Sequence, residues 1–168
     1  VQASQQYAQP PQLFWNCGVD CPASLLLVSE AGDLARPLVG RAAAYADIDA
    51  DGDLDVLITQ NGGPPLLLRN DQALGHHWLR VKLTGRTVNR DAIGAWVEVH
   101  CGDQILRRQV MPTRSYLSQV ELPVTVGLGE YEPVQRIVVR WPDGSSQEVE
   151  DYRIGGLSVV EQKDADLP

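Results

Sequence analysis

Asp47-Ile48-Asp49-Ala50-Asp51-Gly52-Asp53-Leu54-Asp55 sets five carboxylates on alternate positions around one glycine. Like charges this close repel, and neither a core nor an ordinary surface asks for them in this order. A hard divalent cation does. Ca²⁺ takes about six to eight oxygen ligands at roughly 2.3–2.6 Å, and a tight loop offers them from alternate residues. Gly52 supplies the sharp turn, because it adopts the positive φ that other residues resist. The expected cofactor is Ca²⁺, held by the side chains of Asp47, Asp49, Asp51 and Asp55, with Asp53 giving mainly its backbone carbonyl. The plain alternative is an acidic, solvated turn.

An EF-hand loop also opens D-x-D-x-D-G. It requires a glutamate at its twelfth position, where this chain has Ile58, and it requires flanking helices. Here Ala42-Ala43-Ala44-Tyr45-Ala46 leads in and Val56-Leu57-Ile58-Thr59 leads out, short apolar runs that suit strands. The loop reads as a clip between two strands.

Further out on the N-terminal side, short strands are expected at 13–16 and 24–28, and another at 66–70 after the turn cluster Asn61-Gly62-Gly63-Pro64-Pro65. Continuous apolar runs of this length fit strands covered on both faces. From Trp78 the pattern becomes strict alternation. Leu79, Val81 and Leu83 face one way, with Arg80 and Lys82 on the wet side; Ala95, Val97, Val99 and Cys101 repeat the pattern, with Trp96 opposite. Strands are expected at 78–83, 95–101, 104–110, 122–128, 134–141, 147–149 and 157–161, with Pro142-Asp143-Gly144 as a hairpin turn. Sheets with one wet face are what a β-sandwich requires.

Composition sets outer limits. The chain has 168 residues, 43% hydrophobic and 21% charged, which is a globular balance. A net charge of −8, with no basic patch beyond Arg107-Arg108, speaks against nucleic acid. No run reaches the roughly 18 apolar residues of a membrane span. The chain begins at Val1 without an apolar leader, as expected of a mature exported protein or a piece of a longer one. Cys17 and Cys21 leave three readings open: a small disulfide in an oxidising compartment, reduced thiols, or a metal site with histidine.

For function, three classes stand side by side. One is a metal-braced binding module. A second is glycan binding, with Trp96, Arg114 and Tyr116 as ligand-facing residues, against the plainer reading that Trp78, Trp96 and Trp141 plug the core. The third is hydrolysis by some combination of His76, His77, His100, Ser115, Ser118 and an Asp91–Glu121 pair. No G-x-S-x-G elbow, H-E-x-x-H or nucleotide loop supports it.

The stretch from Gly40-Arg41-Ala42 through Asp55-Val56-Leu57 to Leu68-Arg69-Asn70 resembles an FG-GAP/VCBS repeat, the blade unit of integrin-α-like propellers. His77-Trp78-Leu79, Asn89 with Ile93-Gly94-Ala95, Ser115-Tyr116-Leu117-Ser118-Gln119, Gly127-Leu128-Gly129 and Val139-Arg140-Trp141-Pro142-Asp143-Gly144 resemble an ASPIC/UnbV domain. The combination is cartilage acidic protein-like. It implies an all-β chain with a propeller-blade-like repeat at 13–74 and a β-sandwich at 75–162, between a polar, Gln- and Pro-containing lead at 1–12 expected to be disordered and a tail at 163–168. A propeller has about four to eight blades, so the resemblance also implies missing N-terminal blades or self-association. The function it implies is a calcium-stabilised, non-catalytic binding module, secreted, extracellular or periplasmic, with a protein or glycan ligand.

Overall fold

The computed structural model describes residues 6–17, 23–29, 31–71, 74–130 and 133–163. Among them the chain is all-β, with a single turn of 3-10 helix at Gly32–Ala35. The strands are β1 (Phe14–Asn16), β2 (Leu25–Leu27), β3 (Gly40–Ala46), β4 (Asp55–Gln60), β5 (Leu66–Leu68), β6 (His77–Thr84), β7 (Trp96–Cys101), β8 (Gln104–Gln109), β9 (Val124–Gly129), β10 (Val134–Arg140), β11 (Ser146–Val149) and β12 (Leu157–Glu161). Every strand expected from the sequence has its counterpart here.

They form four sheets: β1-β2, β3-β4-β5, β12-β6-β9 and β11-β10-β7-β8. The last two share one core. Alternation places Leu79 and Val81 of β6 opposite Val126 and Val124 of β9, and Val97 and Val99 of β7 opposite Val139 and Ile137 of β10. All except Val124 are completely buried and belong to a single cluster that also takes Val149, Val160 and Trp141. Each such side chain removed from water contributes about 1.5–3 kcal/mol, so this cluster dominates the stability of the C-terminal part. β12 joins β6 in parallel, whereas the other pairs are antiparallel.

Two expectations are corrected. The apolar runs of the N-terminal part are not covered on both faces: Leu25 and Leu27 are 57% and 56% exposed, and Leu57 and Leu67 are 40% and 55% exposed. Ile58 on the opposite face of β4 is buried, so that sheet is covered on one side only. A continuous apolar run cannot report which face meets a neighbour; the neighbour decides. No closed propeller is formed by the described strands. The second correction concerns Arg80, which alternation sets on the wet face of β6. It is 6% exposed, because the acidic loop lies over it.

The acidic loop sits where the two parts meet. Gly52 lies against the Trp78 ring and Asp47 pairs with Arg80, so the loop caps the outer face of the β12-β6-β9 sheet. The segment after β8 returns to the same place: Ser115 Oγ accepts the Ala43 N–H at 3.0 Å and Glu121 Oε1 accepts the Asp47 N–H at 3.4 Å.

Candidate metal centre

The loop connects β3 to β4, neighbours paired antiparallel from Ala46↔Asp55 onward. To reverse direction there the backbone uses positive φ twice, at Ala50 (62°) and Gly52 (97°). This brings Asp47, Asp49 and Asp55 together, each with a carboxylate oxygen within 4.8 Å of the others.

The surrounding bonds fix these carboxylates. Asp47 Oδ1 accepts the Asp51 N–H and its Oδ2 accepts the Gly52 N–H, both at 3.2 Å. Asp55 Oδ2 accepts the Ile48 N–H at 3.0 Å, and Oδ1 accepts the Asn70 N–H at 2.8 Å, which ties the loop to the end of the sheet. Asp51 turns Oδ1 to the Asp53 N–H at 2.9 Å. Asp47 and Asp55 are buried, while Asp49 and Asp51 are exposed.

Charge crowding shows in the titration of two members. Desolvation first, then the Asp51 and Asp55 carboxylates, push the Asp49 carboxyl up. Desolvation and the charges of Asp51, Asp47, Asp55 and Asp49 do the same to Asp53. A cation offsets the charge repulsion and gives the desolvated carboxylates a partner. The donors are all oxygens, with neither imidazole nor thiolate, which fits a hard ion such as Ca²⁺ or Mg²⁺ and not zinc or copper.

The arginines around the acidic loop differ in how they meet it. Of Arg41 and Arg69, the second pairs with Asp71 at 2.7 Å and reaches Asp49 only at 4.0 Å; Arg41 is exposed. Arg80 makes the close contact, Nη1 to Asp47 Oδ2 at 2.9 Å, while its Nη2 bonds Glu121 Oε2. Sequence reading missed Arg80, since alternation alone assigned it to solvent. Its one signal was an arginine two residues after Trp78 in the His77-Trp78-Leu79 motif.

The other candidate residues scatter. Trp96 is 41% exposed on β7, in register with Gln109 and Arg140. Tyr116, 64% exposed, and Arg114 lie on the 113–119 loop, whose Ser115 is tied to β3. Glu121 is committed to Arg80 and the Asp47 N–H, and Asp91 stands exposed in a separate turn, so the acid–base pairing does not form. Cys21 lies outside the described residues, and the Cys17–Cys21 pairing with it. Cys101 is buried in the core.

Residues that carry the sequence motifs act as staples. Asn89 exchanges two hydrogen bonds with Ile93, Oδ1 with its N–H at 2.8 Å and Nδ2 with its carbonyl at 3.0 Å. Asp143 Oδ1 accepts the Ser145 N–H and hydroxyl, and Oδ2 accepts Thr87 Oγ1 and Gln162 Nε2. Gln162, 3% exposed, in turn receives the N–H groups of Arg86, Thr87 and Val88 on Oε1. These bonds close loops and leave the side chains committed to the scaffold.

Fold and site together define an all-β chain with an oxygen-donor acidic loop at the joint between its sheets. Residues 85–167 match the family model described as ASPIC and UnbV, so that stretch carries an ASPIC/UnbV domain. The match begins just past β6 and leaves the acidic loop outside it. A search of the curated proteins finds no match to the chain. Among the described residues no helix is long and apolar enough to cross a membrane.

Proposed function

We propose that this chain is a calcium-stabilised, non-catalytic binding module. In this reading β3-β4-β5 is an FG-GAP/VCBS propeller-blade-like unit, the two C-terminal sheets are a β-sandwich, and the acidic loop braces one against the other. The observation that carries it is the convergence of Asp47, Asp49 and Asp55 within 4.8 Å at the contact with Trp78 and Arg80. Asp51 and Asp53 add charge beside them, with the Asp53 carbonyl as a further donor. An ion here supplies charge neutralisation and rigidity. The motif residues spent on turns and staples agree with a scaffold that recognises and does not react.

The compartment is exported, extracellular or periplasmic, and the ligand is a protein or a glycan. The half-exposed apolar strands are covered by further blades of a longer propeller or by a second copy.

The experiment is a thermal melt and calorimetric titration with calcium and with chelator. An ion that binds only the folded state stabilises by RT ln(1 + [L]/Kd), about 2.7 kcal/mol at a hundred-fold excess over Kd. Superimposed melts and no heat of binding remove the proposal.

One observation favours a second reading, a carbohydrate-binding sandwich. Trp96 is 41% exposed and stands in register with the polar residues Gln109 and Arg140, so its ring offers a stacking surface. Retention on a polysaccharide panel that Trp96→Ala abolishes supports it; equal behaviour of the two chains removes it.

A further inference from the structure

The joint contains a cation of its own. Arg80 is almost fully enclosed, and one carboxylate grips it on either side: Asp47 from the acidic loop and Glu121 from the segment after β8. Its Nε has no hydrogen-bond partner, so the guanidinium is held by these contacts at its other nitrogens. The Asp47 side chain has 0% exposure, and its Oδ2 is shared between the Gly52 N–H and Arg80 Nη1. One oxygen of a carboxylate that converges on the site is therefore already in contact with a fixed positive charge.

We infer that Arg80 sets the metal affinity of the acidic loop by competing with the ion for the Asp47 carboxylate, and that Glu121 opposes it. The inference rests on the metal reading and specifies which residues outside the loop tune it. In the ion-free chain Arg80 neutralises one of five crowded carboxylates, so the loop keeps its shape without metal. When a divalent ion enters, the same charge repels it. Glu121 draws the guanidinium from the other side and returns negative potential to the site. The guanidinium and carboxylate are shielded from water by the loop and the sheet, so salt screens this competition less than it screens exposed pairs.

Charge and positioning separate experimentally. Calorimetric titration of the whole chain with calcium chloride compares wild type, Arg80→Gln, Arg80→Lys and Glu121→Gln. Tryptophan fluorescence provides a second readout, since Trp78 lies on Gly52. A unit charge removed from beside a divalent ion is expected to change Kd by about ten-fold, even when water screens most of it. Arg80→Gln should therefore tighten binding by about that factor, and Glu121→Gln should weaken it by about the same. Arg80→Lys, which keeps the charge, should stay near wild type. Arg80→Gln binding as wild type does, or more weakly, overturns the inference while leaving the metal reading intact. If that variant does not fold, Glu121→Gln decides: unchanged or tighter binding overturns it. A wild-type chain that takes up no calcium ends the metal reading and this inference together.

Discussion

A Cβ added to Gly52 would stand 2.2 Å from Cε2 of Trp78, inside the surface of the indole. The acidic loop thus meets β6 with bare backbone against an aromatic face, and no other residue fits. Gly52 also holds φ at +97°, a conformation that L side chains resist. Gly62 provides the control, with φ +76° and open space, free of other atoms to 4 Å, where a Cβ would stand. Gly62→Ala should cost about 1 kcal/mol, the backbone cost alone. Gly52→Ala should cost about 3 kcal/mol or more, because the loop must also leave the ring. Urea unfolding of the two variants measures the difference, and equal losses would show that the ring contact contributes nothing.

Gly52 also shows how much the sequence could say. Its turn role was legible from D-x-D-x-D-G, as were the strands, because a period of two and turn residues are local signals. Its contact with Trp78 was not, because that depends on where β6 lies relative to the loop. Arg80 is the same lesson with the opposite sign: alternation correctly set it on the outer face of β6, but only the arrival of the loop buries that face. The exposed leucines of β2, β4 and β5 repeat it, since apolar runs state a preference for cover and not who provides it. Gln162 gave no motif signal, although three backbone N–H groups converge on it.

That convergence has a cost when removed. Gln162→Ala leaves the N–H groups of Arg86, Thr87 and Val88 without their acceptor in a half-buried place. It should destabilise by about 2–3 kcal/mol. Chemical denaturation that finds less than about 0.5 kcal/mol would mean that water substitutes freely.

Asp143, bonded to the same amide, titrates low. The Ser145 hydroxyl and N–H, then Thr87 and Gln162, hold its carboxyl down to about 2 from an ordinary 3.8. A depressed carboxyl contributes stability that is present above the unfolded value and lost as pH falls through the folded one. Wild type should therefore lose this contribution between about pH 4 and pH 2. Asp143→Asn should lack that component of the acid slope. Identical acid titrations of stability in the two chains would refute the assignment.

The 113–119 loop holds Ser115 at φ 58° and Leu117 at φ 47°, left-handed values for residues with side chains. Leu117 is 89% exposed, so it gains no burial in return. The left-handed conformation costs about 1–2 kcal/mol in a non-glycine residue, and glycine gives back about 0.5–1 through the freedom of the unfolded chain. Leu117→Gly should thus gain about 0.5 kcal/mol, read as a small rise in the urea midpoint. A lower midpoint would mean that the leucine makes a contact worth more than its strain.

Glu98 tests whether the outer face of the β11-β10-β7-β8 sheet carries its own electrostatic tie. Its Oε1 meets Arg107 Nε at 2.9 Å and its Oε2 meets Arg140 Nε at 3.0 Å, linking β8, β7 and β10. The bond from Arg140, then that from Arg107, hold the carboxyl below its ordinary value. Both arginines are more than half exposed, so water screens the pairs and each is worth at most about 1 kcal/mol. Glu98→Gln keeps the shape and removes the charge, and should cost about 1–2 kcal/mol at pH 7. A lowered carboxyl contributes stability above the unfolded value and forfeits it as pH falls through the folded one. The gap between wild type and Glu98→Gln should accordingly close in acid, once the glutamate is itself neutral. Urea unfolding of both chains at neutral pH and below the folded value reads the gap directly. If it persists unchanged in acid, the charge of the glutamate is not what separates the two chains.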